Sequence, residues 1–149
     1  MARDQRVAYI AENPSQMMLF QDMSYLRNLT FCLPRQIDSW FRRRSIYRSL
    51  RRELTPELGA VFDKDIRDLN TQEKYALIFR RVLLQQPRVV FFEQPFWGND
   101  VLLQQHIERQ VQLLLAKKIA VVVLIVGIYD AFPLAERTLI YKNGHLLTQ

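Results

Sequence analysis

The chain has one cysteine in 149 residues, Cys32, which excludes an internal disulfide and suits a reducing compartment. It has four glycines, and none falls in a G-x-x-x-x-G-K-[ST] pattern, so the backbone cradle that this pattern folds around nucleotide phosphates is missing. No apolar run is long enough for a membrane-spanning helix. The longest, "IAVVVLIVGI" from Ile119, is about half the roughly 20 residues such a helix needs, and its β-branched residues favour a buried strand. The first residues, "MARDQRVAYIAENP", carry no apolar core of a secretory signal. His106 and His145 have no companion at metal-ligand spacing and read as surface residues.

Hydrophobic residues make up 49% of the chain and charged residues 24%, the balance of a sequence that folds around a core. The length matches one ordinary domain. A formal charge of +6, with a pI near 9.8, permits an anionic partner such as a membrane surface, nucleic acid or nucleotide without choosing among them. Much of the excess lies in "WFRRRSIYRSLRREL", Trp40 to Leu54. There Trp40, Phe41, Ile46, Tyr47, Leu50 and Leu54 recur at helical spacing and arginines fill the gaps. An ordinary solvated helix face and a docking surface both give that pattern. A nucleic-acid module is disfavoured, because the cluster has no recognised fold motif or stacking platform.

Along the chain, "VAYIA" from Val7 predicts a short strand, and Pro14 marks the loop after it. Ser24 is placed to cap a helix "YLRNLTF", Pro34 to open the basic helix, and Thr55 to cap a further segment from Pro56. Helix and strand then alternate: helix "TQEKYALIFRRVLLQQ", strand "RVVFFE", helix "DVLLQQHIERQVQLLLAKK", strand "IAVVVLIVG" and a short helix around "DAFPLAER". Strands "TLIYK" and "HLLTQ" follow, joined by Asn143-Gly144. Consecutively apolar strands between amphipathic helices predict an α/β fold with a mostly parallel sheet covered on both faces, and the Asn-Gly pair predicts a C-terminal antiparallel hairpin. In such sheets ligands bind beyond the carboxyl ends of the strands, which puts Glu93 and Gln94 of "RVVFFEQPFWGND" where chemistry is expected. A carboxylate there, stiffened by Pro95, either holds magnesium through water or caps the strand end.

The succession of "RRVLLQQP", "RVVFFEQPFWGND" and "IVGIYD" resembles the ATP-binding cassette of ABC transporters, and the resemblance covers most of the chain. In that family a helix begins with Leu-Ser-Gly-Gly-Gln, the next strand (Walker B) ends in Asp-Glu-Pro, and a short D-loop ends in Leu-Asp. The following strand delivers a switch histidine before an aspartate. Here "LNTQE", Leu69 to Glu73, falls at the signature position, so the resemblance gives Asn70, Thr71, Gln72 and Glu73 the place where the family meets the nucleotide. Asp100 matches the D-loop aspartate, and Tyr129-Asp130 match the His-Asp pair. The early "RVAYIAENPSQMMLFQDMSYLRNLTF" is similar to the Q-loop strand and the start of the helical subdomain, with Glu12 where the family usually has glutamine. The resemblance implies an incomplete P-loop-NTPase-like core over 1–21 and 69–149, with a helical subdomain over about 22–68 in the same single domain. It also implies ATP and magnesium as cofactors, and a second cassette and a transmembrane transporter subunit as partners. The implied location is cytoplasmic, peripheral at the inner face of the membrane.

The departures from the family alter reactive atoms. Glu93 takes the place of the carboxylate that helps hold magnesium, and its extra methylene still allows reach to a metal-bound water. Gln94 takes the place of the glutamate that polarises water, and an amide is no general base at neutral pH. Both signature glycines are replaced, by Thr71 and Gln72. Asn70 with Glu73 also makes an approximate capping box, which satisfies a helix N-terminus from within and repels an anion. Tyr129, at the switch position, donates a hydrogen bond but does not titrate near neutrality. Phe96 and Trp97 stand where the family carries small residues, and both partner packing and internal burial would use them. The chain starts at about the Q-loop strand, so the nucleotide-binding front half is expected to be missing; either Met1 is an internal methionine of a longer protein or the chain is a true half-cassette. The expected activity is a cassette subunit with little or no ATP hydrolysis of its own. The alternative is a nucleotide-independent regulatory protein on a cassette-like core.

Overall fold

The computed structural model describes residues 6–31, 40–96, 98–127 and 133–148; Cys32, Pro34, Trp97, Tyr129 and Asp130 lie outside them. Strand β1 (Val7–Ile10) is followed by two short helices, α1 (Pro14–Met17) and α2 (Tyr25–Thr30), and by the basic helix α3 (Trp40–Leu58). Two 3-10 turns, Gly59–Asp63 and Ile66–Asp68, lead to α4 (Thr71–Leu84), β2 (Val89–Glu93), α5 (Val101–Ala116) and β3 (Ala120–Leu124). The hairpin β4 (Leu139–Lys142) and β5 (His145–Thr148) ends the described chain.

The strands β1, β2 and β3 form one parallel sheet in that order, with Tyr9 beside Phe91 and Phe91 beside Val122. Chain order equals sheet order, so both crossovers travel in the same direction. Right-handed crossovers in one direction put their helices on one face. That face, made by Ala8, Ile10, Val90 and Phe92, is buried against Leu77, Ile78, Phe79, Val82, Ile107, Val111 and Leu114 of α4 and α5. The rings of Phe79 and Phe92 meet edge to face at 5.7 Å between centroids. The expectation of cover on both faces is therefore corrected: Val7, Tyr9, Val122 and Leu124 of the opposite face are exposed.

Two further expectations change. Helix α3 runs unbroken to Leu58, so Thr55 starts no new segment. Pro56 falls within its last turn, where a missing N–H costs only one intrahelical bond and the helix ends soon after. Residues 133–138, the described part of the short helix expected around "DAFPLAER", form a turn and irregular backbone; only four residues of that stretch follow Pro133, too few to nucleate a helix. The hairpin pairs Lys142 with His145 across Asn143-Gly144, both at positive φ, as its turn chemistry requires. Along α3, Arg44, Arg48, Arg51 and Arg52 are exposed, while Leu54 packs against the core. Phe96, too, is partly buried against the core. His106 is half-buried on α5 rather than fully solvated, and burial, followed by the nearby charge of Arg109, holds its imidazole below the ordinary range.

Ser24 caps α2 by accepting the Arg27 N–H, as its place in the sequence predicts. The approach to α2 is held by Asn28, which is fully buried. Its Oδ1 accepts the Phe20 N–H at 2.8 Å, and its Nδ2 reaches the carbonyls of Phe20, Met23 and Ser24 at 2.9, 3.2 and 3.3 Å. One side chain thus substitutes for the strand ladder that the loop lacks. Asn28→Ala strands these backbone groups without water, and is expected to lower stability by about 2–3 kcal/mol in urea unfolding. A change within about 0.5 kcal/mol would show that the loop does not depend on Asn28.

Candidate functional site

Parallel pairing brings the carboxyl ends of β1 and β2 to one edge of the sheet. Because Ile10 lies beside Phe92, Glu12 and Gln94 each follow that register pair by two residues, with Glu93 between. Glu12 sits in the bend after β1, half-buried, directly before Asn13, whose φ of 49° turns the chain into α1. Gln94 has φ 45°, a left-handed conformation that costs a residue with a side chain about 1–3 kcal/mol. Its N–H donates to Leu124 O at 2.8 Å, so β3 holds the bend in place.

Glu93 lies on the open face of the sheet. So does Tyr9, two residues earlier in the register, at the diagonal spacing that a long aromatic side chain spans. The Tyr9 hydroxyl donates to Glu93 Oε2. That hydrogen bond, then partial desolvation, then the charges of Glu93 and Glu12, hold the phenol above its ordinary pKa. Tyr9 escapes a reading of the sequence because a tyrosine in a strand is unremarkable; only the register between β1 and β2 reveals its partner.

The second group of residues begins α4. Asn70 caps the helix: its Oδ1 accepts the Glu73 N–H at 2.8 Å, and Glu73 Oε2 accepts the Asn70 N–H at 2.9 Å. The capping box expected from Asn70 and Glu73 is therefore complete. Lys64, from the turn before the helix, donates to Glu73 Oε1 at 2.8 Å. That bond is the main cause of the lowered Glu73 pKa, and the Asn70 N–H adds to it. Thr71 and Gln72 are exposed in the first turn. Lys64 was not foreseen, since nothing in its spacing from Glu73 signals a contact across a 3-10 turn.

The loop after β2 joins the two groups. Asn99 Nδ2 donates to Pro95 O at 2.8 Å and approaches the Tyr75 hydroxyl of α4 at 3.5 Å. Gln104 Nε2 donates to Asn99 O at 3.1 Å. Asp100 caps α5, its Oδ1 accepting the Leu103 N–H at 2.8 Å. The structure thus gathers Glu12, Glu93 and Gln94 at the strand tips. It sets Asn70, Thr71, Gln72 and Glu73 at the head of α4 and Asp100 at the head of α5; Tyr129 lies outside the described residues.

No protein-family model matches the chain. Among curated proteins, it is similar to the "Lipopolysaccharide export system ATP-binding protein LptB" of Acidithiobacillus ferridurans, at 27% identity over 142 residues, 95% of this chain and 57% of the relative. Among solved structures it resembles CbiO1 of Clostridium perfringens, described as part of the ABC transporter complex CbiONQ. The TM-score is 0.56 at 18% identity, over 80% of this chain and 46% of that one. In sequence the chain is thus similar to an ATP-binding protein of an export system, and in fold to part of an ABC transporter complex. It spans somewhat over half the length of the curated relative it matches. Among the described residues, no helix is long and apolar enough to cross a membrane.

The resemblance to ATP-binding cassettes implies ATP and magnesium, and the residues at the candidate site do not fit that pair as they stand. One oxygen of Glu93 already accepts a hydroxyl, and Glu73 fills the helix end where a phosphate would meet free N–H groups. Asn70→Ala should cost about 1 kcal/mol of stability, as lost N-caps do. The Glu73 pKa lies below its ordinary value of 4.5 in the folded state, so its contribution is complete above that value and lost as pH falls through the folded pKa. Denaturant titrations between about pH 6 and pH 3 should show a flatter acid limb for Glu73→Gln than for the parent. Superimposable acid limbs would remove Glu73 from the ion pair.

Proposed function

We propose that the chain serves as a degenerate ATP-binding cassette subunit, with little or no ATP hydrolysis of its own, acting beside a partner cassette and a transmembrane transporter subunit. One observation carries the reading: the strand tip presents the carboxylate of Glu93 followed by the amide of Gln94, held in a fixed bend. In this reading Glu93 stands at the Walker B position and Gln94 at the place of the general base. An amide accepts a hydrogen bond but takes no proton at neutral pH, so a bound water keeps its proton. Glu12 then stands at the Q-loop, Asp100 at the D-loop and Tyr129 at the switch position. Residues about 22–68 form the helical subdomain, whose exposed arginines on α3 face the partner in the membrane. The relatives' printed descriptions, a lipopolysaccharide export system and a transporter complex, support partners of this kind. They also support a peripheral location at the cytoplasmic face.

A second reading is favoured by the helix cap. The capping box takes up the Asn70 and Glu73 N–H groups, and the Glu73 carboxylate, held by Lys64, places negative charge at the head of α4, which disfavours an anion. A nucleotide-independent regulatory protein would keep such a cap as pure structure. Calorimetric titration with ATP and magnesium, in the presence of a competent cassette, separates the two: uptake of nucleotide supports the subunit, and none supports the regulator.

The purified chain is expected to show no magnesium-dependent ATP turnover above background. Clear turnover abolished by Glu93→Ala would overturn the degenerate site. In a cassette completed with a phosphate-binding loop, Gln94→Glu should restore hydrolysis by roughly the 100-fold or more that a positioned general base supplies.

A further inference from the structure

Helices α4 and α5 both end at the edge of the sheet where the strands begin, and both close on a left-handed residue. Lys118 N–H donates to Leu115 O at 2.8 Å and Ile119 N–H to Leu114 O at 3.1 Å, the paired bonds that close a helix in this way. Gln86 N–H likewise donates to Leu83 O at 3.0 Å at the end of α4. Glycine is the usual residue at such a position, because it has no Cβ to clash. Here Gln86 has φ 50° and Lys118 φ 60°, so each helix keeps a long polar side chain at a backbone cost.

Between the two ends lies an open groove of about 540 Å³. Buried Pro87 and Ile119 and half-buried Leu83 and Leu84 give it an apolar lining, and exposed Gln86 and Lys117 stand at its margin. Arg88 adjoins this lining at Pro87, and Lys118 adjoins it between Lys117 and Ile119. Arg88 N–H donates to Arg6 O at 2.6 Å, and Arg88 O accepts the Ala120 N–H at 3.0 Å, so the backbone lines up Arg6, Arg88 and the lysine turn along one edge. All four cations are exposed, and among the described residues none makes an ion pair. The segments that build this end, residues 6–10, 81–90 and 111–122, contain no aspartate or glutamate. Lysines at a helix C-terminus complement its dipole, which accounts for Lys117 and Lys118 but not for Arg6 and Arg88, at the starts of strands.

We propose that this groove docks an acidic, leucine-bearing segment of a partner protein, with Arg6, Arg88, Lys117 and Lys118 pairing its carboxylates. An apolar strip with cations at both margins is complementary to a ligand that carries anionic groups on both sides of apolar side chains. A peptide of that pattern supplies them, whereas an amphiphile with a single head supplies one. A flat anionic bilayer meets the cations but leaves the recessed apolar lining unfilled. Each exposed pair adds little alone, so affinity depends on several acting together. The groove lies at the opposite edge of the sheet from Glu93 and Gln94, and docking there needs neither nucleotide nor metal.

The test follows a fluorescein-labelled Glu-Glu-Leu-Leu-Glu-Glu peptide on the full chain by anisotropy, against its Gln-Gln-Leu-Leu-Gln-Gln analogue. The parent should bind the acidic peptide at least about tenfold more tightly, and Lys117→Gln/Lys118→Gln should lose about five- to tenfold. Arg137→Gln/Lys142→Gln, which removes the same charge near and on the hairpin, should change the affinity by less than about twofold. Lys118→Gly should raise the urea midpoint, because glycine suits the left-handed position, and still weaken the acidic peptide about two- to threefold. Equal affinities for the two peptides, or an equal loss from the hairpin variant, would overturn the groove. A raised midpoint with unchanged binding would make Lys118 purely structural and overturn its part in docking. Phosphatidylserine vesicles bound through Lys117 and Lys118, with no preference for the acidic peptide, would overturn the partner protein in favour of a lipid surface.

Discussion

The fold depends on β2 being paired on both edges and covered on one face. Val89 to Glu93 bonds to β1 on one side and β3 on the other, and Phe92 goes under the helices against Phe79. Alternation along a strand then leaves the other residues of β2 on the opposite face. Phe92 inward means Glu93 outward, so the burial of one aromatic ring dictates where the carboxylate stands. The same pairing sets Gln94 against Leu124 and bends the chain away from the sheet. Loss of this packing would release the site as well as the core.

A common theme runs through the polar groups at the candidate site: they are satisfied within the domain. Glu73 accepts a backbone N–H and a lysine, Glu93 accepts a phenol, and Asp100 accepts a backbone N–H. Each such contact is small, on the order of 1 kcal/mol at exposed positions. Their effect on chemistry is larger than their effect on stability. A ligand must displace an internal partner before it gains anything, and the first charge it meets at the head of α4 is a carboxylate.

The sequence made much of this frame legible. Strand β2 is an unbroken apolar run closed by a carboxylate, and α4 and α5 carry apolar residues at helical spacing, so local pattern and tertiary role agree. Ser24 and Asn70 each precede a helix in a form that predicts a cap, and both cap it. Where local signals conflicted, reading them failed. Thr55-Pro56 has the form of a helix start, yet it lies in the last turn of α3, where one lost hydrogen bond does not outweigh the turns already formed. The apolar character of both sheet faces suggested two covered faces, but the direction of the crossovers placed α4 and α5 together on one.

By itself the sequence determined the element types, their order, the caps and the amide at Gln94, because these follow from side chains within a few residues of one another. Only the tertiary structure decided that Tyr9 meets Glu93, that Lys64 meets Glu73 and that Asn28 ties down the loop from Phe20 to Ser24. The first of these contacts spans 84 residues and is created by strand register. Register is a property of the assembled sheet: a shift of one residue would turn Tyr9 to the buried face and leave Glu93 without its partner.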